Sequence, residues 1–482
     1  MKKTLLTLAC AMLLGAAANA QTTPPQPWTI VSVGSAVPTN YITEDIVTVN
    51  PATVWVLYRE VSSGTTALPV RTYARTIDGG TTWTGGALNI PTDLNVSNIT
   101  AIDGNTAWIA AFSTTSNKTQ QGVYKTTDGG VTWTKQGTAT YSQADSFPNG
   151  VYFFDANNGV TFGDPQPAGI GQRMEIYTTT NGGTNWTRNT TSAPVVNSNQ
   201  EYGLAGSFFA LGNTIWHGGV SDDGSGPASG QGARLYKSTD RGLTWTAADT
   251  DLPYAVSNLA FTSPSRGLLS SGFDLLETLD GGATNSTLLY SGHFRGAGLD
   301  AVPGLNNTYV SVGVIDTTST LQSGYNGSSI SYDGGQTWKD MLSRGVSINQ
   351  YEVDMFSPSV GFTGSFTQGT TANPNVNLTG VTKLNTVITG SKNAVALRGV
   401  LQVFPNPSND GRFTMNVNLP AATKRDLTVT DALGRVVKQI KLNATGAAVQ
   451  NQALDLSQFK AGVYTLRLVT EQGTAVEKLV VN

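Results

Sequence analysis

The octet Thr76-Ile77-Asp78-Gly79-Gly80-Thr81-Thr82-Trp83 (TIDGGTTW) returns as TTDGGVTW at Thr126–Trp133, STDRGLTW at Ser238–Trp245 and SYDGGQTW at Ser331–Trp338. Two worn copies accompany them. TTNGGTNW at Thr179–Trp186 carries Asn181 in place of the aspartate, and TLDGGATN at Thr278–Asn285 keeps Asp280 but has lost the Trp. The third positions fall at 78, 128, 181, 240, 280 and 333, in steps of 50, 53, 59, 40 and 53 residues, the period of propeller blades. Each octet has the chemistry of a hairpin turn: the leading Ser or Thr and the Asp exchange hydrogen bonds with turn backbone, Gly supplies a positive φ, and Trp packs between sheets. Structural roles therefore fall to Asp78 with Trp83, Asp128 with Trp133, Asn181 with Trp186, Asp240 with Trp245, Asp280, and Asp333 with Trp338. Calcium needs several oxygen ligands close together and each octet offers one carboxylate, so no metal is expected.

Outward from the octets, a short apolar strand opened by Thr or Gly recurs as TVWVLY from Thr53, TAWIAAF from Thr106, GVTFGD from Gly159 and TIWHGG from Thr214. GLLSSG from Gly267, TYVSVG from Thr308 and GFTGSF from Gly361 complete the set. Seven such strands face six octets. Trp28 leads Thr53 by 25 residues, inside the 22 to 28 that separate each octet Trp from the next apolar strand. The stretch around Trp28 to Val33 is therefore read as the outer strand of the last blade, an arrangement that closes the ring without a bare sheet edge. The expected fold is all-β: a seven-bladed propeller over 21–390, a linker at 391–400 and a small β-sandwich over 401–482.

Composition agrees with this reading. Charged residues are 13% of the 482 and there are 54 Gly, which suits strands and turns and argues against a coiled coil. Apolar residues at 39%, with 9 Trp, 16 Tyr and 16 Phe, are enough for a large core. The net charge of −3 leaves no basic surplus to neutralise phosphates, so no nucleic-acid partner is expected. Lys2 and Lys3, the apolar run Leu5 to Ala17 and Ala18-Asn19-Ala20 read as an export signal over 1–20. The one cysteine, Cys10, lies inside it, so the mature chain is expected to hold no disulfide. No later segment approaches the ~18 apolar residues of a membrane span, and no transmembrane segment is expected.

Past residue 390 the octets stop and period-2 strands take over, with turns at Pro405-Asn406-Pro407, Asn409-Asp410-Gly411, Leu433-Gly434-Arg435 and Ala461-Gly462. This tail is similar to the type A C-terminal sorting domain of the type IX secretion system. The carrying residues are Val403-Phe404-Pro405-Asn406-Pro407, Gly411 with Phe413, Asp431 with Gly434-Arg435, Asp455-Leu456, Gly462-Val463-Tyr464 and Lys478-Leu479-Val480-Val481. The resemblance implies export through the periplasm and across the outer membrane to the cell surface or medium, with the secretion machinery as partner. The octets resemble the Asp-boxes, or BNR repeats, of sialidases, xyloglucan-type glycosidases, sortilin-type receptors and photosystem II assembly-factor-like propellers. The match is nearest the last group, on FPNGVYFFDANNGVTFGDP from Phe147, RLYKSTDRGLTW from Arg234 and HFRGAGLDAV from His293.

The resemblance fixes no activity. Sialidases carry Arg-Ile-Pro before the first box, whereas Arg59, Arg71 and Arg75 are the arginines between Gln21 and Thr76 and none precedes Ile-Pro. A two-carboxylate glycosidase would draw on Asp164 in the FGDP turn and Glu201 in QEYGLAG, although turn and rim roles are favoured for both. His217 and His293 stand 76 residues apart without ligand spacing, and Asp-Gly-Gly is followed by strand, never by the helix of a phosphate loop, so no cofactor is expected. Arg173, Glu201, His217, His293 and Arg295 read as loop residues facing one mouth of the channel, while Trp55, Trp108 and Trp216 read as core. The expected function is a non-catalytic binding module for an extracellular polysaccharide or protein ligand, with a glycoside hydrolase as the alternative.

Overall fold

The computed structural model describes residues 27–482 except 39, 62–68, 200, 222–231, 315–325, 342–347, 368–376, 391–399, 419–425, 433, 442–447 and 471–472. The export signal and nearly all of the expected linker lie outside the described residues.

Each apolar landmark of the sequence is the second strand of a blade. Val54–Glu60 shows why it reads as continuously apolar: Val54, Trp55, Val56, Leu57 and Tyr58 are all fully buried, because both faces of the sheet are covered by neighbouring blades. Before it runs a first strand, Tyr41–Thr48; after it come a third, Val70–Thr76, and a short outer strand, Thr84–Ala87, with the octet between these two. Among the described residues this antiparallel pattern is repeated in seven sheets, numbered here as blades 1 to 7. Their first strands are Tyr41–Thr48, Leu94–Ala101, Pro148–Phe153, Glu201–Leu211, Asn258–Phe261, Gly298–Ala301 and Asn349–Ser357, each against the next around the ring.

Blade 7 is completed from the other end of the chain. Trp28–Val31 pairs antiparallel with its third strand, Trp28 opposite Leu384 and Val31 opposite Val381. Trp28 is buried and the Asn385 N–H donates to the Pro27 carbonyl at 2.9 Å, so the ring is closed by the strand that the count of octets left over.

The octets have the predicted turn chemistry. Thr76 Oγ1 donates to Asp78 Oδ1 at 2.8 Å and accepts the Gly80 N–H at 2.9 Å, while Asp78 accepts the Thr82 N–H at 2.9 Å and the Thr82 hydroxyl at 2.6 Å. Gly80 has φ of 91°, a conformation that L side chains adopt at a cost. Asp128, Asp240, Asp280 and Asp333 repeat the pattern, and Asn181 keeps its backbone half by accepting the Asn185 N–H at 2.9 Å.

Octets also join blades. On the second and third strands Trp108 lies opposite Lys125 and Phe362 opposite Lys383, each ammonium above its ring at 4.8 and 5.8 Å. Lys125 donates to the Gly182 carbonyl in the octet of blade 3 at 2.9 Å, and Lys383 to Gly79 in that of blade 1 at 2.7 Å. Trp216, beneath Lys237, sends its indole N–H to Gly281 in the octet of blade 5 at 2.9 Å. Trp55, Trp108 and Trp216 are thus core, each fully buried.

The tail folds as two sheets. One joins Leu401–Phe404, Arg412–Asn418 and Ala448–Asp455; the other joins Asp426–Asp431, Val436–Lys441, Gly462–Thr470 and Gly473–Val481. Phe413, Met415 and Leu454 from the first share one core with Leu427, Val429, Leu466, Leu468 and Leu479 from the second, the sandwich expected. Among the described residues no helix is long and apolar enough to cross a membrane.

Candidate functional site

The seven first strands enclose an axial cavity of about 1050 Å³. Bulges decide which side chains enter it. The pairing register skips Glu44 between Thr43 and Asp45, Ser97 between Val96 and Asn98, and Glu352 between Tyr351 and Val353, and each skipped residue lines the cavity. An extra residue in one strand re-aims a side chain that regular alternation would turn elsewhere. Glu352 has φ of 55°, in the left-handed region.

Polar side chains sew the blades together around this axis. Asp45 accepts the Ile99 N–H of blade 2 at 2.8 Å, and Asn98 of blade 2 brackets the peptide of Val151 in blade 3 with two bonds of 2.9 Å. Asp164, on the second strand of blade 3, accepts the Gly203 N–H of blade 4 at 3.1 Å. Ser207 donates to the Val256 carbonyl at 2.6 Å and Asn258 to the Gly296 carbonyl at 3.3 Å, carrying the ring to blades 5 and 6. Asp300 then accepts the Met355 N–H of blade 7 at 2.6 Å, and Asp354 accepts the Thr48 N–H of blade 1. Every junction therefore has a side-chain to backbone bond.

The wall built by blades 6, 7 and 1 is acidic. Glu44, Asp45, Asp300, Glu352 and Asp354 meet there, and Asp155 adds a sixth carboxylate from blade 3; the described lining residues include no Lys, Arg or His. Burial pushes Asp45 up to about 8 and Asp354 up to about 6, and it holds Asp300 and Glu352 well above the carboxylate range. Neighbouring carboxylates add to the shift of Asp45, Asp300 and Glu352. Glu44 is raised by burial and opposed by Arg59, whose Nε lies 3.2 Å away. Across the ring the wall is aromatic: Tyr152 packs edge-on to Phe154 and Phe208, with centroids 5.0 and 5.9 Å apart, and Phe209 lines the cavity beside them. Among the described residues no group of three His, Cys, Asp or Glu side chains is disposed to hold a metal ion.

The residues singled out by sequence lie elsewhere. Asp164, Glu201 and His217 are gathered at the junction of blades 3 and 4. Glu201 accepts from Arg234 at 2.8 Å and the Tyr236 hydroxyl at 2.5 Å on one oxygen, and from the Asn197 N–H at 2.6 Å on the other. Asp164 also accepts from Asn149 at 2.7 Å, and burial pushes it up to about 7. His217 donates from Nδ1 to the Ser207 carbonyl at 2.9 Å, and burial pushes it down to about 4. Arg173 pairs through its backbone with Val195 and donates to the Ala193 carbonyl. His293 and Arg295 converge on Asp340 of blade 6, at 3.1 and 2.8 Å. None of these six residues belongs to the cavity lining. The acidic wall went unread in the sequence, although Glu44-Asp45 repeats as Ser97-Asn98 after one blade period of 53 residues.

Residues 402–482 match the family described as secretion system C-terminal sorting domain. The tail is a type IX secretion sorting domain. It marks the chain for export to the cell surface or extracellular space. Solved structures similar to the chain include YCF48 bound to D1 peptide, at 18% identity over 75% of this chain and 97% of that one, with a TM-score of 0.47. PorZ of Porphyromonas gingivalis, a surface component of the type IX secretion system, is 12% identical over 90% of this chain and 58% of its own, with a TM-score of 0.41. Trypanosoma rangeli sialidase is 9% identical over 92% and 84%, with a TM-score of 0.40. No curated protein matches the chain.

Proposed function

We propose that this protein, delivered to the cell exterior by its sorting domain, is a non-catalytic binding module for an extracellular polysaccharide or protein, with the axial cavity as its site. In this reading residues 1–20 are a cleaved export signal, the octets are Asp-boxes that hold the ring, and the blades over 21–390 act as one unit. The observation that carries it is the engagement of the carboxylates. Asp45, Asp300 and Asp354 each accept a backbone N–H from the next blade, so they are committed to holding the wall of a cavity that can admit a ligand. Both oxygens of Glu201 are likewise occupied. A general acid and base must instead reach the scissile bond.

The test is a glycan and peptide array with the chain lacking its signal, followed by hydrolysis assays on whatever binds. Binding without turnover is expected. One observation favours the glycoside-hydrolase alternative, namely that Asp45, raised to about 8, stands near Asp354, raised to about 6, a combination suited to an acid and its partner. Turnover abolished by Asp45→Asn or Asp354→Asn in a folded protein would establish that alternative, and turnover abolished by Asp164→Asn or Glu201→Gln would move the chemistry to the junction of blades 3 and 4.

A further inference from the structure

We infer that the axial cavity takes a ligand carrying an alkylammonium group, lodged between the carboxylates of blades 6, 7 and 1 and the aromatic wall of blades 3 and 4. The inference rests on the cavity being a binding site and names the chemistry of what enters it.

The charge census comes first. Six carboxylates and no basic side chain line the cavity among the described residues, so uronic acids, sialic acids and phosphates meet a repulsive wall with no donor of positive charge. Two arginines reach the lining carboxylates: Arg59 is bound to Glu44 at 3.2 Å, and Arg241 to Asp155 at 2.8 Å. Neither relieves the group formed by Asp45, Asp300, Glu352 and Asp354. Three of these accept backbone N–H bonds, but Glu352 makes no hydrogen bond to any described residue while the charges of Asp45, Glu44, Asp300 and Asp354 all bear on it. Burial and four neighbouring carboxyls hold Glu352 in its neutral form, and a bound cation would stabilise the charged one.

A second, independent feature points the same way. Thr48 is 8% exposed and lines the cavity with a hydroxyl that donates to Asp354 and so leaves its own oxygen lone pairs open to a donor. An ammonium has three donors, and a buried acceptor oxygen beside carboxylates can take one of them. The opposite wall supplies what an alkyl chain needs. Tyr152, Phe154 and Phe208 offer ring faces and edges for the methylenes and for a cation–π contact, and Asp354 is near enough to raise the Tyr152 hydroxyl further above its ordinary range after burial has done so. A neutral sugar would use the rings but would do nothing to offset the negative charge that the acidic wall gains as Asp354 and Asp45 ionise.

The test is calorimetric titration of the chain with putrescine and, separately, with an end-blocked peptide carrying one central lysine, against the same peptide with norleucine in its place. Saturable one-to-one binding of either amine is expected, weaker at high salt and weaker by about tenfold or more in Glu352→Gln and in Tyr152→Leu. Affinity should rise from about pH 5 to about pH 8 as the cavity carboxyls ionise while the amine stays charged. Binding of putrescine alone would identify free amines as the source, and binding of the peptide alone would identify a protein. Failure of both amines to bind a protein that melts normally would overturn the inference, as would equal binding of the norleucine peptide or indifference to both substitutions. A neutral oligosaccharide whose binding is lost in Tyr152→Leu and kept in Glu352→Gln would overturn it while leaving the binding-module reading intact. Hydrolysis of the array ligand would instead defeat that reading itself.

Discussion

Asp300, in the first strand of blade 6, accepts the backbone N–H of Met355, in the first strand of blade 7, at 2.6 Å, and accepts the N–H of its own neighbour Ala301 at 2.7 Å. Asp300 is 8% exposed, so its loss strands two buried donors. Leaving a buried donor unsatisfied costs about 1–3 kcal/mol. Asp300→Ala should therefore lower the unfolding free energy by at least that amount in urea titration, and Asp300→Asn, which keeps one acceptor oxygen, by less. Equal loss in the two variants would show that the charge, and not the hydrogen bonds, matters at this junction.

Closure of the ring gives a second expectation. Trp28 starts the strand that blade 7 draws from the other end of the chain, and it packs with Leu384, Val353 and Met355. Truncating a buried Trp to Ala costs about 3–5 kcal/mol. Trp28→Ala should bring a matching loss of thermal stability by calorimetry. A melting temperature within a degree or two of the parent would mean that this strand does not hold the ring.

The octets contain their own control. Asn181 holds its turn through the Asn185 N–H bond at 2.9 Å, as Asp128 does with Thr132 at 2.9 Å, but it lacks the second oxygen that accepts the Thr132 hydroxyl at 2.6 Å. Asp128→Asn should thus lower the melting temperature less than Asp128→Ala, which loses both acceptors. The reverse order would contradict the assignment of the backbone bond as the main restraint.

Export is the property most readily checked in cells. The match over 402–482 covers both sheets of the tail, whose core is shared between them. Deleting Leu401 to Asn482 should trap the blades in the periplasm of the native host, read by fractionation and immunoblot. Undiminished protein at the surface or in the medium would show that another segment carries the address.

How much of this was legible depended on the range of each interaction. The octets were readable because their hydrogen bonds run between residues two and four apart, so the pattern is complete within eight positions. The closing strand was readable by counting, since seven apolar strands faced six octets. The first strands escaped because bulges at Glu44, Ser97 and Glu352 break their alternation and their buried carboxylates look like loop residues. Asp45 finds its partner Ile99 54 residues away and Asp354 finds Thr48 306 away, distances that no local pattern records. Glu201 and His217 stand out in the sequence as a lone acid and a lone imidazole, but their partners Tyr236 and Ser207 lie across the sheet, where no local pattern shows them.

Acidity offers the last test, because the chain holds carboxyls shifted in opposite directions. Asp78 and Asp128 are held at about 2 by hydrogen bonds, led by those from the Thr82 and Thr132 hydroxyls, and Asp155 at about 2 by hydrogen bonds led by that from the Asn157 N–H. These groups contribute stability above the unfolded value of about 4, and it is lost as pH falls toward 2. Asp45, Asp164 and Asp354 are raised by burial to about 8, 7 and 6, so the folded chain binds more protons than the unfolded one between about 4 and those values. Their contribution is complete below about 4 and declines as pH rises through 6 to 8. His217, pushed down to about 4, acts the other way and gains stability between about 4 and 6.5, but it is one group against several raised carboxyls. Thermal stability should therefore peak on the acid side of neutrality, falling steeply below about pH 4 and gradually from about 5 to 8. Asp45→Asn, which cannot ionise, should flatten the alkaline arm while leaving the acid arm in place. A melting temperature that climbs from pH 5 to 8 would refute the assignment of buried, proton-holding carboxyls to the axis of the ring.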